Sequence, residues 1–191
     1  MEIERKFTIK QLPENLNGYP CRLIEQAYLN TNPVIRIRRE DDRYYMTYKG
    51  EGLMAREEYN LPLNADAYAH LLPKADGNVI SKKRYLIPLN HSCCRTDAAV
   101  QTLSGAGDSV IPPHTGTSGS DTPSRQGAQE QNWQPMIELD IFAAPFDGLI
   151  IAEVEFPSVE AAHAFVAPAW FDEDVTNDPA YHNSNLSRRT F

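Results

Sequence analysis

Met136-Ile137-Glu138-Leu139-Asp140-Ile141-Phe142 alternates: Ile137, Leu139 and Ile141 fall on one side, Glu138 and Asp140 on the other. Successive side chains of a β-strand point to opposite faces, so this period of two predicts a strand with one apolar and one acidic face. Val34-Ile35-Arg36-Ile37-Arg38-Arg39 has the same period with the opposite sign, Arg36 and Arg38 lying together and Ile35 and Ile37 opposite. Glu153 and Glu155 alternate with Ala152, Val154 and Phe156. Lys82 and Arg84 share a face, as do Glu2, Glu4 and Lys6. Any one of these segments reads as the wet side of an antiparallel sheet. Together they do not, because solvated faces mix signs and like charges side by side repel. Signs segregated by strand make sense if the faces line one enclosed space, carboxylates on one wall and cations on another.

Working outward, the pattern predicts strands over residues 2–10, 22–30, 34–39, 43–48, 56–61, 79–88, 136–142 and 149–156. Three helices are expected. One starts behind Asn64 and ends at Pro73, one follows Ser158 through Phe165, and one opens with Asp178 as cap and Pro179 in its first turn. Residues 91–135 break the pattern: 26 of these 45 are Gly, Pro, Ser, Thr, Gln or Asn. Such a segment buries too little apolar surface to offset its ordering entropy, so the expectation is one domain over residues 1–191 interrupted by a disordered polar insertion.

Of 191 residues, 18 are Lys or Arg and 26 Asp or Glu, a net charge of −8. That balance argues against general attraction to nucleic acid or an anionic membrane. Residues 1–90 hold 14 Lys/Arg against 12 Asp/Glu and residues 91–191 hold 4 against 14, so basic strands come first and acidic strands later. No apolar run approaches the roughly 20 residues of a membrane span, and no signal sequence follows Met1, so a cytoplasmic protein is expected. Cys21 and the adjacent Cys93 and Cys94 suit neither a disulfide framework nor a CxxC metal site and read as reduced thiols. His70, His163 and His182 are scattered and read as surface or core positions.

A lumen with carboxylates facing cations suits a divalent cation and a polyphosphate together. Mg²⁺ or Mn²⁺ takes hard oxygen ligands, usually one or two carboxylates completed by water and phosphate. Arg presents a planar fork to phosphate oxygens and Lys a compact charge. Phosphoryl transfer asks a protein chiefly to position the reacting groups and neutralise charge.

Glu2-Ile3-Glu4-Arg5-Lys6 has the form ExExK. It is followed in order by Tyr28, Arg36-Ile37-Arg38, Tyr48-Lys49-Gly50, Arg56, Glu58, Lys82-x-Arg84, Glu138-x-Asp140, Glu153-x-Glu155, residues 174–178, Tyr181 and Asn183. This set resembles the CYTH, or triphosphate tunnel metalloenzyme, superfamily. The resemblance implies an α+β, mainly antiparallel fold: a closed tunnel barrel of eight strands, polar inside, with peripheral helices. It implies that Glu2 and Glu4 ligate Mg²⁺ or Mn²⁺, joined by Glu155 and by Glu153 or Asp140. Lys6, Arg36, Arg38, Lys49, Arg56, Lys82 and Arg84 become triphosphate contacts, with Glu58 and Glu138 orienting them. Tyr28 beside Lys49 becomes the catalytic pair that helps activate water, a phenol near a cation ionising more easily. The implied activity is metal-dependent hydrolysis of the terminal phosphoryl group of inorganic triphosphate. Thiamine or nucleoside triphosphate hydrolysis, adenylate cyclisation to cyclic AMP and pyrophosphate, and simple polyphosphate binding are the alternatives. The expected partner is a triphosphate-containing small molecule, and nothing in the sequence selects an oligomeric state.

Overall fold

A computed structural model of the chain describes residues 1–89 and 134–191. The expected insertion over 91–135, with Cys93 and Cys94, lies almost wholly outside the described residues. Cys21 is free and exposed.

Among the described residues ten strands follow in order: β1 (Glu2–Ile9), β2 (Cys21–Thr31), β3 (Val34–Glu40), β4 (Arg43–Lys49), β5 (Ala55–Arg56), β6 (Glu58–Leu63), β7 (Asp76–Pro88), β8 (Met136–Phe142), β9 (Ile150–Glu155) and β10 (Phe171–Asp174). All pair antiparallel, in the order β10-β1-β9-β8-β7-β2-β3-β4-β6. β5 returns to pair with β1 through Glu2↔Arg56 and Ile3↔Ala55, which closes the ring. β5 and β6, separated by Glu57 alone, act as one interrupted stave. The barrel therefore has the eight staves expected, and β10 is an addition on the free half of the β1 edge.

Alternation decides the two faces of the wall. Outside, Ile3, Phe7, Ile137, Leu139, Val154 and Phe156 pack under α2 (Val159–Ala164), whose Ala162 and the following Phe165 join them. Around the ring, Ala27 and Ile37 pack under Tyr68 of α1 (Ala65–Leu71). Both helices start as the caps predict: Asn64 Oδ1 accepts from Ala67 N at 2.7 Å, and Ser158 Oγ from Ala161 N at 3.1 Å. The third expected helix is only a 3-10 turn over Pro179–Tyr181, capped by Asp178, and it leads into the short α3 (Asn183–Leu186).

Inside, the wall is not polar throughout, a correction to the expected bore. Ile80 lies opposite Gln26, Phe142 opposite Lys82 and Ile151 opposite Asp140, so the three share the inner face. With Tyr28, Phe146 and Leu186 of α3 they form an apolar cluster at one end. α3 thus sits across that end instead of lying outside the barrel. Gly77 fixes its approach: at φ +72° a Cβ there would meet Ser187 O at 2.2 Å, while Asn78 N donates to that oxygen at 2.6 Å. No helix among the described residues is long and apolar enough to cross a membrane.

Candidate active site

The charged part of the lumen is a cavity of about 210 Å³. Of the residues expected from sequence, Glu2, Glu4, Lys6, Tyr28, Arg36, Arg38, Lys49, Arg56, Glu58, Arg84, Glu138, Glu153 and Glu155 all line it. Register explains the convergence, since directly opposed residues of an antiparallel ladder share a face. Glu4 faces Glu155, Lys6 faces Glu153, Glu138 faces Glu153, Tyr28 faces Arg36, and Lys49 faces Glu58.

Lys82 and Asp140 do not line the cavity. Both side chains are fully buried, and Asp140 is engaged by Lys82 and by Arg84, whose Nε and Nη2 donate at 2.7 and 2.6 Å. They lie behind the lumen surface, with the Lys82 ammonium 5.2 Å from the Phe142 ring centroid. Burial drives Lys82 down to about 8. This pair braces Arg84 from behind the cavity surface.

On the β7–β8–β9–β1 side the inward-facing cations Lys6, Lys82 and Arg84 all have carboxylate partners. Arg84 also engages Glu138 and Glu153, and Lys6 bonds Glu153 and approaches Glu4 at 3.0 Å. At the seam with β4 and β5, Lys49 Nζ lies 2.6 Å from both Glu2 and Glu58, and Arg56 reaches Glu2 at 3.2 Å and Glu4 at 3.0 Å. The ordinary pKa values move accordingly. Against burial, Lys6 and Arg84 hold Glu153 well below the usual carboxylate range, and Lys49 holds Glu58 at about 2.

Arg36 and Arg38 are different. Among the described residues neither has a carboxylate within ion-pairing distance. Arg36 Nη2 donates to Thr47 Oγ1 at 3.1 Å, Thr47 donates on to Asn60 Oδ1 at 2.7 Å, and Arg36 Nε is buried with no partner. Arg38 Nε and Nη2 donate to Gln26 Oε1 at 3.1 and 2.9 Å, and its Nη1 donates to Tyr45 Oη at 3.2 Å. Burial and the neighbouring Arg38 push Arg36 down from its ordinary value. Two adjacent guanidiniums held by neutral groups in a buried pocket have the donor chemistry that suits an anion.

The Tyr28 phenol does not ionise easily: burial outweighs the Arg36 and Arg38 charges and pushes it up. Its hydroxyl accepts from Gln26 Nε2 at 3.3 Å, while the Lys49 ammonium is occupied by Glu2 and Glu58. Among the described residues Tyr28 and Lys49 thus make no direct hydrogen bond, and the cations nearest the phenol in effect are Arg36 and Arg38. Lys49 itself is pushed down by burial and by Arg36.

The carboxylates suit a hard divalent cation. Glu4 opposite Glu155 and Glu138 opposite Glu153 are like-charged cross-strand pairs, arrangements that cost stability unless a cation sits between them. Among the described residues Glu155 has no cation within ion-pairing distance, and desolvation together with the Glu138, Glu2 and Glu4 charges raises it to about 7. These oxygens fit Mg²⁺ or Mn²⁺ by type, although no three acidic or imidazole groups among the described residues are already gathered for ligation.

Sequence reasoning missed several lining residues. Arg22, Glu40 and Tyr45 stand at the mouth, where Tyr45 Oη donates to Glu40 at 2.7 Å. His182, Asn183 and Ser184 line the other end from α3 and the residue before it, Asn183 Oδ1 being buried without a partner. His182 Nε2 donates to Thr176 O at 3.0 Å, and burial with the nearby Lys6 lowers its pKa. The nearest sequence signal was the run from Asp174 to Asn183, which reads equally well as a turn and a cap.

An antiparallel barrel with a charged, partly self-neutralised lumen and a pair of guanidiniums outside its ion pairs defines a class: β-tunnel proteins with a charged bore. The family model for the CYTH domain matches residues 1–112. The inorganic triphosphatase of Nitrosomonas europaea is 32% identical over 190 residues, which cover 97% of this chain and 96% of that protein. This chain belongs to the CYTH family. The inorganic triphosphatase of Acetivibrio thermocellus is 43% identical over a shorter stretch of 54 residues, covering 28% of this chain and 33% of that protein. Among solved structures, the crystal structure of an inorganic triphosphatase matches with a TM-score of 0.61 at 27% identity, covering 100% of this chain and 96% of that one. A second crystal structure of that same protein, there described as hypothetical, matches with a TM-score of 0.60 at 26% identity, covering 100% of this chain and 99% of that one.

Proposed function

We propose that this protein is a metal-dependent inorganic triphosphatase, releasing the terminal phosphate of triphosphate and leaving pyrophosphate. The observation that carries the reading is the pair Arg36 and Arg38, uncompensated by carboxylates and facing a carboxylate wall across a cavity of about 210 Å³. The names of the two relatives point the same way.

Arg36 and Arg38 bind phosphate oxygens with charge-assisted hydrogen bonds, and burial strengthens them by excluding competing water. Tyr28, whose oxygen already accepts from Gln26, has its own proton free to donate to a phosphate oxygen. Glu2, Glu4, Glu153 and Glu155 would hold Mg²⁺ or Mn²⁺. A cation held by these residues would supply charge neutralisation for the phosphates and a lowered pKa for the attacking water. Lys49, Arg56 and Arg84 keep Glu2, Glu4, Glu138 and Glu153 in place, with Lys82 and Asp140 bracing Arg84 from behind. In the reaction the water oxygen bonds the terminal phosphorus, the bridging P–O bond breaks, and pyrophosphate, phosphate and one proton leave.

The test supplies tripolyphosphate, ATP and thiamine triphosphate separately, with Mg²⁺, Mn²⁺ or chelator, and identifies products. Phosphate and pyrophosphate from tripolyphosphate, lost in chelator, are expected. Cyclic AMP with pyrophosphate from ATP, or turnover of none of the three, would overturn the proposal.

A further inference from the structure

Gln26 belongs to no part of the mechanism above, yet it is wholly buried in the centre of β2. A buried amide in a strand costs stability unless its donors and acceptor are used. Its oxygen accepts twice from Arg38, and its amide nitrogen donates to Tyr28. The orientation is forced. Guanidinium is only a donor, so the amide oxygen must face Arg38, and the NH₂ is left for the phenol.

This arrangement is the reverse of the one around Arg84, whose fork rests on Asp140, Glu138 and Glu153. A carboxylate would hold Arg38 just as rigidly, and Glu differs from Gln by little except charge. It would also cancel the charge that an anion needs. We infer that Gln26 is a positioning residue that aims the Arg38 fork and the Tyr28 hydroxyl at the substrate anion through a neutral contact, leaving Arg38 its full charge. Thr47 does the same for Arg36, since its hydroxyl proton goes to Asn60 and its oxygen receives the guanidinium. Tyr45 completes the set on Arg38 by passing its own proton to Glu40. The inference deepens the proposed activity and rests on it for the identity of the anion.

The experiment compares Gln26→Glu with Gln26→Leu by calorimetric binding of tripolyphosphate, alongside kcat and KM. A packing role predicts that Gln26→Leu, which deletes every hydrogen bond of the side chain, is the worse variant. Charge preservation predicts the opposite: Gln26→Glu weakens tripolyphosphate binding at least tenfold and raises KM more than it lowers kcat, while Gln26→Leu weakens binding by clearly less. Equal loss in the two, greater loss in Gln26→Leu, or wild-type binding by Gln26→Glu overturns the inference. If Gln26→Glu does not fold, Gln26→Asn and Gln26→Asp make the same neutral-against-charged comparison with a shorter side chain. A wild-type protein that binds tripolyphosphate but releases no phosphate refutes the proposed activity and leaves the anchor standing. One that binds no tripolyphosphate overturns both.

Discussion

The two sides of the lumen hold their cations by opposite means. On the β7–β8–β9–β1 side Arg84 and Lys6 are bound by carboxylates that outnumber them, so neither cation's charge is left over for the bore. On the β2–β3–β4 side Arg36 and Arg38 are bound by an amide and two hydroxyls and keep their charge. Identical side chains are thus structural on one wall and available on the other. The anchors decide which, and the cations themselves do not. A wall of ion pairs forgoes ligand affinity for rigidity, whereas a wall with neutral anchors tolerates repulsion so that an anion can relieve it.

The largest effect should come from the saturated wall. Arg84→Met leaves Asp140 and Glu153 as buried carboxylates with fewer partners, and breaking such a network typically costs about 3–5 kcal/mol. Urea unfolding measures it, and a loss below about 1 kcal/mol would show that the network is dispensable. The unsaturated wall should respond in the other currency. Arg36→Leu removes charge-assisted bonds worth about 1.5–3 kcal/mol, so tripolyphosphate affinity should fall roughly 10- to 100-fold by calorimetry. Its melting temperature in anion-free buffer should hold or rise, because Arg36 is buried beside Arg38. A variant that binds normally but melts early would erase the distinction between the walls.

A smaller effect marks Glu155, crowded by other carboxylates and without an ion-pair partner among the described residues. The Glu155 carboxyl is raised from 4.5 to about 7, so between these values the folded state holds more protons than the unfolded state. Stability contributed by that proton is present at low pH and lost as pH rises toward 7. In chelator, Glu155→Gln should therefore melt a few degrees above wild type at pH 8 and no higher at pH 4.5. An equal gain at both pH values would remove carboxylate crowding as its cause.

Much of this was readable from residue periodicity. The strand over residues 136–142 was legible to its ends because a half-buried strand records its two environments in alternate residues. β10 was not, since Asp172, Glu173 and Asp174 are all exposed and show no alternation, the strand being held by pairing with β1 and by the Arg5–Asp174 ion pair. The break at Glu57 was also hidden. Register turns Lys82 and Asp140 inward as alternation predicts, but their burial behind Arg84 is a matter of packing that no period reports. The neutral anchors were the least legible. Gln26, Thr47 and Tyr45 are ordinary strand residues until the guanidiniums across the ladder give them a task.

The buried Arg36 Nε with no partner has a thermodynamic consequence for the whole chain. Any anion that pairs with it in the folded barrel, and cannot find that site in the unfolded chain, shifts the folding equilibrium by mass action. At a hundred times its dissociation constant the gain is about 2.7 kcal/mol, a substantial part of the marginal stability of a single domain. The substrate would then double as a folding ligand, and the melting temperature of this barrel in phosphate buffer would report occupancy as well as sequence.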